Sequence, residues 1–375
     1  MTMATVMRPD AALTDTRTER LHGILRDCGS VCIGYSGGVD SVYLAAVAVD
    51  VLGSENVLAV TGRSAAYPQV QRDVAVECAA RFGIPHIEVD TDELADPNYA
   101  SNPANRCYYC KSELWPKLAD VARARGLAVV LDGSNADDAG DYRPGFAAAR
   151  ENGVRSPLLE AGLTKEEVRA LSRERGLPTW DQPASPCLSS RLPYGVAVTV
   201  ARLQQVERAE AALRALGYRE FRVRHHDDCL RLEFAPAELD TAWADMRRIH
   251  DQVHGGAGAG AVRVLLDVDG YRRGALNEVL VQLGGTQAGG AGGGVAAHDA
   301  GQPSHDTDAP SHETEACSHD AAGHHGDIAG LRDASPAAAR AAAAPLRALG
   351  FRYIAVDTAV DTAVDTAPRS RPTAH

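Results

Sequence analysis

The sequence is poor in positive charge. It has 38 Lys and Arg against 50 Asp and Glu, so the formal charge is -12 and the isoelectric point is near 5.5. Lysine stands only at positions 111, 117 and 165. Proteins that bind polyanions over a broad face have the opposite charge balance. The composition therefore argues against nucleic acid as the main partner.

Long apolar runs are also missing. The most apolar stretch, 42–52, is interrupted by Asp50, whereas a membrane-spanning helix needs roughly 20 apolar residues. The N-terminal segment lacks the apolar core and small-residue cleavage site of an export signal. We therefore expect a cytoplasmic protein without a membrane partner, whose 8 cysteines are mostly reduced. In that setting a CxxC pattern indicates metal binding or catalysis more than a structural disulfide.

The first half of the chain predicts an α/β fold. Short apolar runs alternate with helical patterns, as in a doubly wound parallel sheet with crossover helices. The runs lie at 31–35, 57–61, 87–90 and 129–132. Thr164 and Glu167 form the pattern of a capping box that opens a helix ending near Gly176. We place this domain at residues 15–180.

Two further regions follow. Residues 181–283 combine a helical pattern, strand-like runs at 220–226 and 229–234, a helix over about 237–253 and a strand-like run at 262–268, which predicts a small α+β domain. Residues 284–375 are rich in Gly, Ala and His, and we expect no ordered structure there. Histidines recur at 298, 305, 312 and 319. A nickel or zinc store is one interpretation of this tail, and a degenerate repeat, which we favour, is the other.

The segment Ser36-Gly37-Gly38-Val39-Asp40-Ser41 follows the first strand and precedes a helix. Such a turn directs backbone N–H groups and a helix N-terminus at an anion. The segment matches neither the Walker A nor the GxGxxG pattern. It resembles the pyrophosphate loop of the N-type ATP pyrophosphatases, and the alternative is an ordinary glycine-rich turn.

Polar residues follow other strands of the predicted sheet, at the edge where open α/β sheets bind ligands. They are Thr61 and Ser64 after the second strand, and Gly133 and Asn135 after a later one. Asp40 is a candidate ligand of Mg²⁺ on the pyrophosphate, and Asp137, Asp138 and Asp141 can add carboxylates or simply be solvated. Arg143 faces the phosphates in one interpretation and forms a surface ion pair in the other.

Three cysteines are candidates for sulfur or metal chemistry. Cys107 and Cys110 form a CxxC pattern, and Cys187 lies in a polar loop near Arg191. Three thiolates can hold an iron–sulfur cluster that leaves one iron without a protein ligand. The alternatives for the CxxC pair are half of a zinc site or a redox pair. Positive charge from Arg191 favours a nucleophilic thiolate at Cys187. We interpret Cys28, Cys32, Cys78 and Cys229 as packing residues.

Taken together, the motifs resemble the LarE family of ATP-dependent sulfur transferases, over about residues 15–283. In chain order they are SGGVDS, NRCYYCK, DGSNADDAGDYRPG, SPLLEAGLTKEEVR, PASPCLSSRLPYG, FRVRHHDDCLRLE and LDVDGYRRGALNE. The resemblance implies a PP-loop sheet of the adenine nucleotide alpha hydrolase type and an enzyme of nickel-pincer nucleotide synthesis for lactate racemase. It also implies sulfuration of pyridinium-3,5-biscarboxylic acid mononucleotide, a homo-oligomer and partnership with other proteins of that synthesis.

The same resemblance assigns residues to roles. ATP is expected on Ser36, Gly37, Gly38, Asp40 and Ser41, together with Thr61, Ser64, Gly133, Asn135 and Arg143 named above. Catalysis is expected from Cys187, Asp40 and Arg191. The sulfur comes either from Cys187 itself, leaving dehydroalanine, or from a 4Fe-4S cluster on Cys107, Cys110 and Cys187, and the presence of all three cysteines favours the cluster.

Arg222 and Arg224 alternate on a predicted strand, so both side chains face one side and are suited to grip the phosphate of a mononucleotide. A solvent-facing strand edge is the alternative. Glu210 and Glu233 are candidates for a divalent cation site nearby, although ordinary surface glutamates fit the pattern as well.

Two other functional classes remain open at this stage. Another pyrophosphate-loop enzyme is one: a tRNA thiolase would be expected to carry a basic face, and an amide-forming ligase would not need Cys187. A non-catalytic nickel-binding chaperone, using the His-rich tail and the cysteines, is the other. The fold alone does not decide among these.

Overall fold

The computed structural model describes residues 11–140, 144–226, 229–256, 263–272 and 353–355. These residues divide into two compact units. The first contains the described residues up to Ala211 together with Arg272, and the second contains Ala212–Tyr271 and Tyr353–Ala355. Within the described residues, no helix is long and apolar enough to cross a membrane.

The first unit is built on a parallel four-stranded sheet with the strand order β3-β2-β1-β4. The strands are β1 (Val31–Gly34), β2 (Val57–Arg63), β3 (His86–Asp90) and β4 (Val129–Leu131). Val31 pairs with Val57 on one side and with Val129 on the other. Because the chain runs outward from β1 to β3 and then returns to β4, the strand order reverses between β1 and β4. The predicted doubly wound α/β sheet is confirmed.

Helices cover both faces of this sheet. They are α1 (Ala11–Cys28), α2 (Val39–Leu52), α3 (Gln69–Arg81), α4 (Pro97–Ala100), α5 (Arg106–Arg125), α6 (Gly145–Glu151), α7 (Pro157–Ala161), α8 (Lys165–Glu174) and α9 (Val200–Ala215). Successive side chains of a strand point to opposite faces, and β1 follows this rule. Val31 and Ile33 join the apolar cluster of α1 and α2, whereas Cys32 joins the cluster of α5 and α6. Cys28 and Cys78 are also buried, as their interpretation as packing residues requires. Cys229 is buried too, but it is disulfide-bonded, so its interpretation as a packing residue is wrong.

The predicted capping box begins α8. The Thr164 hydroxyl accepts from the backbone N–H of Glu167, and the Glu167 carboxylate accepts from the backbone N–H of Thr164. Glu167 is buried and also accepts from Thr14 and Arg17 of α1. The cap therefore fixes the start of α8 and joins it to α1.

The second unit contains the end of α9, β5 (Phe221–His226), β6 (Cys229–Phe234), α10 (Pro236–Ala244), α11 (Met246–Gly256), β7 (Arg263–Asp267) and β8 (Tyr353–Ala355). Its sheet has the order β5-β6-β7-β8. The prediction of one continuous helix over about 237–253 is wrong. The chain forms two helices, because Asp245 (φ -89°, ψ 10°) leaves the helical conformation and separates α10 from α11. Strand β8 differs from the expectation of an unstructured tail, and the rest of 284–375 lies outside the described residues.

The division between the units falls later in the chain than the predicted boundary at 180/181. Residues 181–211 belong to the first unit, because their backbone bonds to it at several points. The N–H of Leu188 donates to the carbonyl of Ala66, and the N–H of Gly195 donates to the carbonyl of Asn102. The segment that contains Cys187 therefore packs on the parallel-sheet unit.

Candidate active site

A tight loop joins β1 to α2. Gly37 has φ +66°, and a Cβ at this position would lie 2.8 Å from the Cβ of Ala75 on α3, so the position requires glycine. Gly38 precedes α2 and makes no side-chain cap bond. The first N–H groups of α2 are thus left to bind an anion at the carboxyl end of the sheet.

Hydroxyl groups close this loop from within. The buried Ser41 Oγ donates to the carbonyl of Gly38 at 3.1 Å and accepts from the N–H of Ser36 at 3.2 Å. The two hydroxyls of Ser36 and Ser41 are also 3.2 Å apart. These bonds hold the loop in one conformation before any ligand arrives.

A second loop, after β4, packs directly on the first. A Cβ on Gly133 would lie 3.0 Å from the backbone nitrogen of Ser41, so only glycine allows this approach without displacement. Asn135 Nδ2 donates to Asp40 Oδ1 at 3.2 Å. The two loops meet between β1 and β4, where open α/β sheets bind ligands. The structure therefore brings together the predicted residues of 36–41 with Gly133 and Asn135.

Lys165 is a site residue that the sequence analysis missed. Its Nζ is in contact with Asp40 Oδ2, and its backbone N–H donates to Asp137 Oδ2 at 2.9 Å. Asp138 accepts from the N–H of Asn135 at 3.0 Å, so both carboxylates shape the site through backbone bonds. The signal was present, since Lys165 is one of few lysines and directly follows the cap residue Thr164. Asp141 and Arg143 lie outside the described residues.

Residues after β2 support the site from the side. Thr61 is buried, and its hydroxyl donates to the carbonyl of Tyr35 at 2.6 Å. Since its single hydrogen is used there, Thr61 accepts from His86 Nε2 at 2.8 Å, which fixes the proton on that nitrogen. Burial lowers the pKa of His86 against the opposing effect of Glu88. Ser64 donates to Glu93 Oε1 at 2.6 Å.

The three predicted sulfur residues lie near one another in the first unit. Cys107 and Cys110 lie near the start of α5, and Cys187 directly precedes a short 3-10 turn, Leu188–Arg191. The Cys107 residue as a whole is exposed, but its thiol is largely covered by protein. This burial raises the pKa of the Cys107 thiol, and the nearby Cys187 raises it further. Burial raises the pKa of Cys110 to about 12. Among the described residues no group of three or more His, Cys, Asp or Glu has the arrangement that holds a metal ion.

The loop after β2 joins the phosphate loop to the Cys187 segment. The hydroxyl of Tyr67 donates to the carbonyl of Ser36 at 3.2 Å, and the carbonyl of Ala66 accepts from the N–H of Leu188 at 2.8 Å. The neighbouring residues Ala66 and Tyr67 therefore contact both the start of the glycine turn and the residue after Cys187. This connection makes the two parts of the site a single structural group.

Arg191 is fully buried and fixes the same segment. Its Nε and Nη2 donate to the two carboxylate oxygens of Glu210 at 2.8 and 3.2 Å, and its Nη1 donates to the carbonyls of Pro186 and Cys187 at 2.7 and 3.2 Å. The predicted catalytic role of Arg191 and the predicted cation-binding role of Glu210 stay predictions. The observed contacts are those of a clamp on the Cys187 backbone.

Arg222 and Arg224 lie on β5 of the second unit and are both buried. Arg224 Nε is 3.0 Å from Glu233 Oε2, and Arg231 Nη2 is 2.8 Å from Glu233 Oε1. The Arg222 guanidinium lies 4.7 Å from the ring centre of Tyr271. Asp267 Oδ2 also lies 3.8 Å from Arg231 Nε, so carboxylates alternate with arginines in this group. The binding roles of Arg222, Arg224 and Glu233 stay predictions.

The chain is similar to several known proteins. The family model of NAD synthase matches residues 15–105, which contain the phosphate loop. A Synechocystis protein described as "Uncharacterized protein slr1717" is 45% identical over 72% of this chain and 100% of its own length. The solved structure of NMN synthetase from Francisella tularensis matches 46% of this chain and 75% of that chain, with 19% identity and a TM-score of 0.38.

The pyridinium-3,5-bisthiocarboxylic acid mononucleotide synthase of Lactiplantibacillus plantarum is 37% identical over 267 residues, which are 71% of this chain and 96% of that protein. The chain therefore belongs to the LarE family of pyridinium-3,5-bisthiocarboxylic acid mononucleotide synthases, which are ATP-using transferases.

Proposed function

We propose that this protein adenylates the carboxylates of pyridinium-3,5-biscarboxylic acid mononucleotide and converts them to thiocarboxylates, for the nickel-pincer nucleotide of lactate racemase. The observation that carries the proposal is the chain of hydrogen bonds that links Ser36 to Tyr67 and Ala66 to Leu188. It supports a reaction in which an ATP-activated group meets sulfur from the Cys187 segment. In the cell we expect a cytoplasmic homo-oligomer that works with other proteins of this synthesis.

The first step activates a poor electrophile. A substrate carboxylate oxygen attacks the α-phosphorus of ATP, pyrophosphate leaves, and an acyl-adenylate forms. The N–H groups after Gly38 and the Lys165 ammonium supply positive charge to the departing pyrophosphate, and Asp40 offers a carboxylate to the Mg²⁺ that accompanies ATP. We assign Ser64 to the nucleotide as well, with Thr61 supporting the loop, and Arg143 keeps the nucleotide role that the sequence suggested for it.

The second step replaces AMP by sulfur. A sulfur nucleophile attacks the acyl carbon, AMP takes the electron pair of the broken C–O bond, and a C–S bond forms. If Cys187 itself is the nucleophile, a thioester results; loss of the Cα proton and cleavage of the Cβ–S bond then release the thiocarboxylate and leave dehydroalanine. Arg191 would hold the Cys187 backbone during either route, since it bonds to that carbonyl.

Of the two sulfur sources we favour a cluster. The support for one is the donor set, because Cys107, Cys110 and Cys187 offer three cysteines in the first unit and cysteine is the usual ligand of iron–sulfur clusters. Held by these three thiolates, a 4Fe-4S cluster would supply a replaceable sulfide. Iron-free protein with full activity would exclude this source.

In the second unit we assign the phosphate of the mononucleotide to Arg222 and Arg224. Both guanidinium groups are buried on the same strand, where charge-assisted hydrogen bonds are strong. Glu233 already pairs with Arg224 and Arg231. A divalent cation at Glu233 or Glu210 would have to compete with those arginine partners.

The test is AMP formation from ATP under anaerobic conditions, with and without the biscarboxylate mononucleotide. We expect AMP to appear only with that substrate and to fall roughly a hundredfold in Asp40→Asn, since a charge at the phosphates is lost. Asp73→Asn is the matched control, because Asp73 is exposed on α3 and, among the described residues, accepts a side-chain hydrogen bond from Gln69 alone. Substrate-independent AMP formation, or equal rates in the two variants, would contradict the proposal.

A further inference from the structure

The side chain of Gln71 is buried and carries a hydrogen-bond donor without a partner. Gln71 lies on α3 and is only 3% exposed. Among the described residues no atom accepts a hydrogen bond from its Nε2, which is shielded from solvent. A buried amide donor without a partner costs free energy, so each such group in a folded protein requires an explanation. The Gln71 nitrogen is therefore available to a group that does not belong to the chain.

This donor lies against the glycine turn of the phosphate loop. Gln71 and Ala75 are one helical turn apart and share one face of α3. That face packs on Gly37, where a Cβ would lie 3.0 Å from Gln71 Nε2 and 2.8 Å from the Cβ of Ala75. Successive N–H groups around a left-handed glycine form a concave site for anions, and Gly37 has this conformation. The side-chain N–H of Gln71 thus adds a donor beside the N–H groups of the loop.

The other end of the Gln71 amide fixes its direction. Gln182 Nε2 donates to Gln71 Oε1 at 2.9 Å, so the nitrogen of Gln71 remains on the side of Gly37. Exchanging nitrogen and oxygen in both amides would keep one bond between them, but it would turn the Gln71 oxygen, an acceptor, towards the loop. Gln182 is held in turn by Arg169, whose Nη2 donates to the carbonyl of Gln182 at 2.7 Å. The observed arrangement therefore offers a donor to an anion in the loop.

We propose that Gln71 is a further phosphate-binding residue, whose Nε2 donates to a phosphate oxygen of ATP and then of the departing pyrophosphate. The ligand class is a phosphate anion, for which a donor fixed beside the loop is suited. This role deepens the proposed function and rests on it for the identity of the nucleotide. Since the oxygen of the same amide holds Gln182, Gln71 also joins the bound phosphate to the segment that leads to Cys187.

The test is the binding of inorganic pyrophosphate and of adenosine to the full chain, measured by calorimetry with Mg²⁺ present. In Gln71→Met we expect pyrophosphate to bind at least roughly tenfold more weakly, since a hydrogen bond to a charged group is lost. Adenosine has no phosphate, and its affinity should stay at the wild-type value. Gln69→Met is the matched control, because Gln69 is exposed on the same helix and its side chain donates to Asp73. An unchanged pyrophosphate affinity in Gln71→Met, or an equal loss for adenosine, would overturn the proposal.

A measurement on the wild-type chain covers the case in which Gln71→Met does not fold. The side-chain nitrogens of glutamine are isotopically labelled for NMR, and the Gln71 signal is assigned by its absence from the spectrum of Gln71→Asn. We expect pyrophosphate to shift the Gln71 amide protons to lower field, as a new hydrogen bond to an anion does, and to leave the Gln69 signal in place. A Gln71 signal that does not move when pyrophosphate saturates the loop would overturn the proposal and indicate a buried water as the partner of Nε2.

The outcomes separate this inference from the proposed function. If wild type forms AMP only with the biscarboxylate mononucleotide while Gln71→Met binds pyrophosphate normally, the proposed function stands and this role of Gln71 is wrong. If wild type binds neither ATP nor pyrophosphate, the phosphate loop has no such ligand, and both proposals are wrong.

Discussion

The phosphate loop depends on the absence of a side chain at Gly37. In Gly37→Ala, the left-handed backbone (φ +66°) costs about 1–2 kcal/mol. The new methyl group would also lie 2.8 Å from the Cβ of Ala75, and such overpacking adds about 1–3 kcal/mol. We therefore expect Gly37→Ala to cost about 2–5 kcal/mol in total. This cost lowers the free energy of unfolding if the loop stays in place, and it weakens ATP binding if the loop moves away from α3.

Gly83 offers a matched control for this prediction. It has φ +63°, but a Cβ there would meet nothing within 4 Å, so Gly83→Ala should cost only the backbone term of about 1–2 kcal/mol. The free energy of unfolding in urea and the apparent ATP affinity are measured for both variants. Gly37→Ala should lower the free energy of unfolding, the ATP affinity or both by more than Gly83→Ala does. Each 1.4 kcal/mol spent on displacing the loop should weaken ATP binding roughly tenfold. Equal losses in the two variants would refute the reasoning.

Three further predictions concern other parts of the molecule. Burial acts to raise the pKa of Glu167, but the hydrogen bonds that this carboxylate accepts from two threonines and Arg17 outweigh burial and lower the pKa. Glu167→Gln should therefore destabilise the fold by about 2 kcal/mol at pH 7. Since the carboxylate contributes only while ionised, the difference between wild type and variant should stay constant above about pH 5 and shrink below about pH 4 in urea titrations; a constant difference would contradict this. Cys32 is fully buried with its pKa raised by burial to about 12, so iodoacetamide at pH 8 should label the partly exposed Cys187 and spare Cys32, as peptide masses will show. Arg224→Ala should raise the KM for the mononucleotide at least roughly tenfold and leave that for ATP unchanged; an equal loss of both would indicate misfolding instead.

Much of the fold follows from local patterns. The four parallel strands were predictable because short β-branched runs end in turn residues, and the start of α8 because Thr164 and Glu167 satisfy each other's backbone within one turn. The glycine turn was predictable for the same reason, since its closing bonds join Ser36, Gly38 and Ser41. Interactions over a few residues can be read from the chain.

Contacts between distant segments could not be predicted in this way. Lys165 meets Asp40 from 125 residues away, and Arg106 meets Ser189 from 83 residues away. No local pattern encodes such meetings, because they depend on how the helices pack. The break between α10 and α11 at Asp245 could not be predicted for a related reason. A polar residue on the exposed face of an amphipathic helix gives the same sequence pattern whether the helix continues or ends there.

The central claim is that Cys187 is needed to pass sulfur to a group that the phosphate loop has activated. The most direct measurement compares AMP and thiocarboxylate produced by wild type and Cys187→Ser in anaerobic single turnover. The account predicts that the variant still forms the acyl-adenylate, releases AMP slowly by hydrolysis and yields no thiocarboxylate. Thiocarboxylate formation at the wild-type level by Cys187→Ser would contradict it.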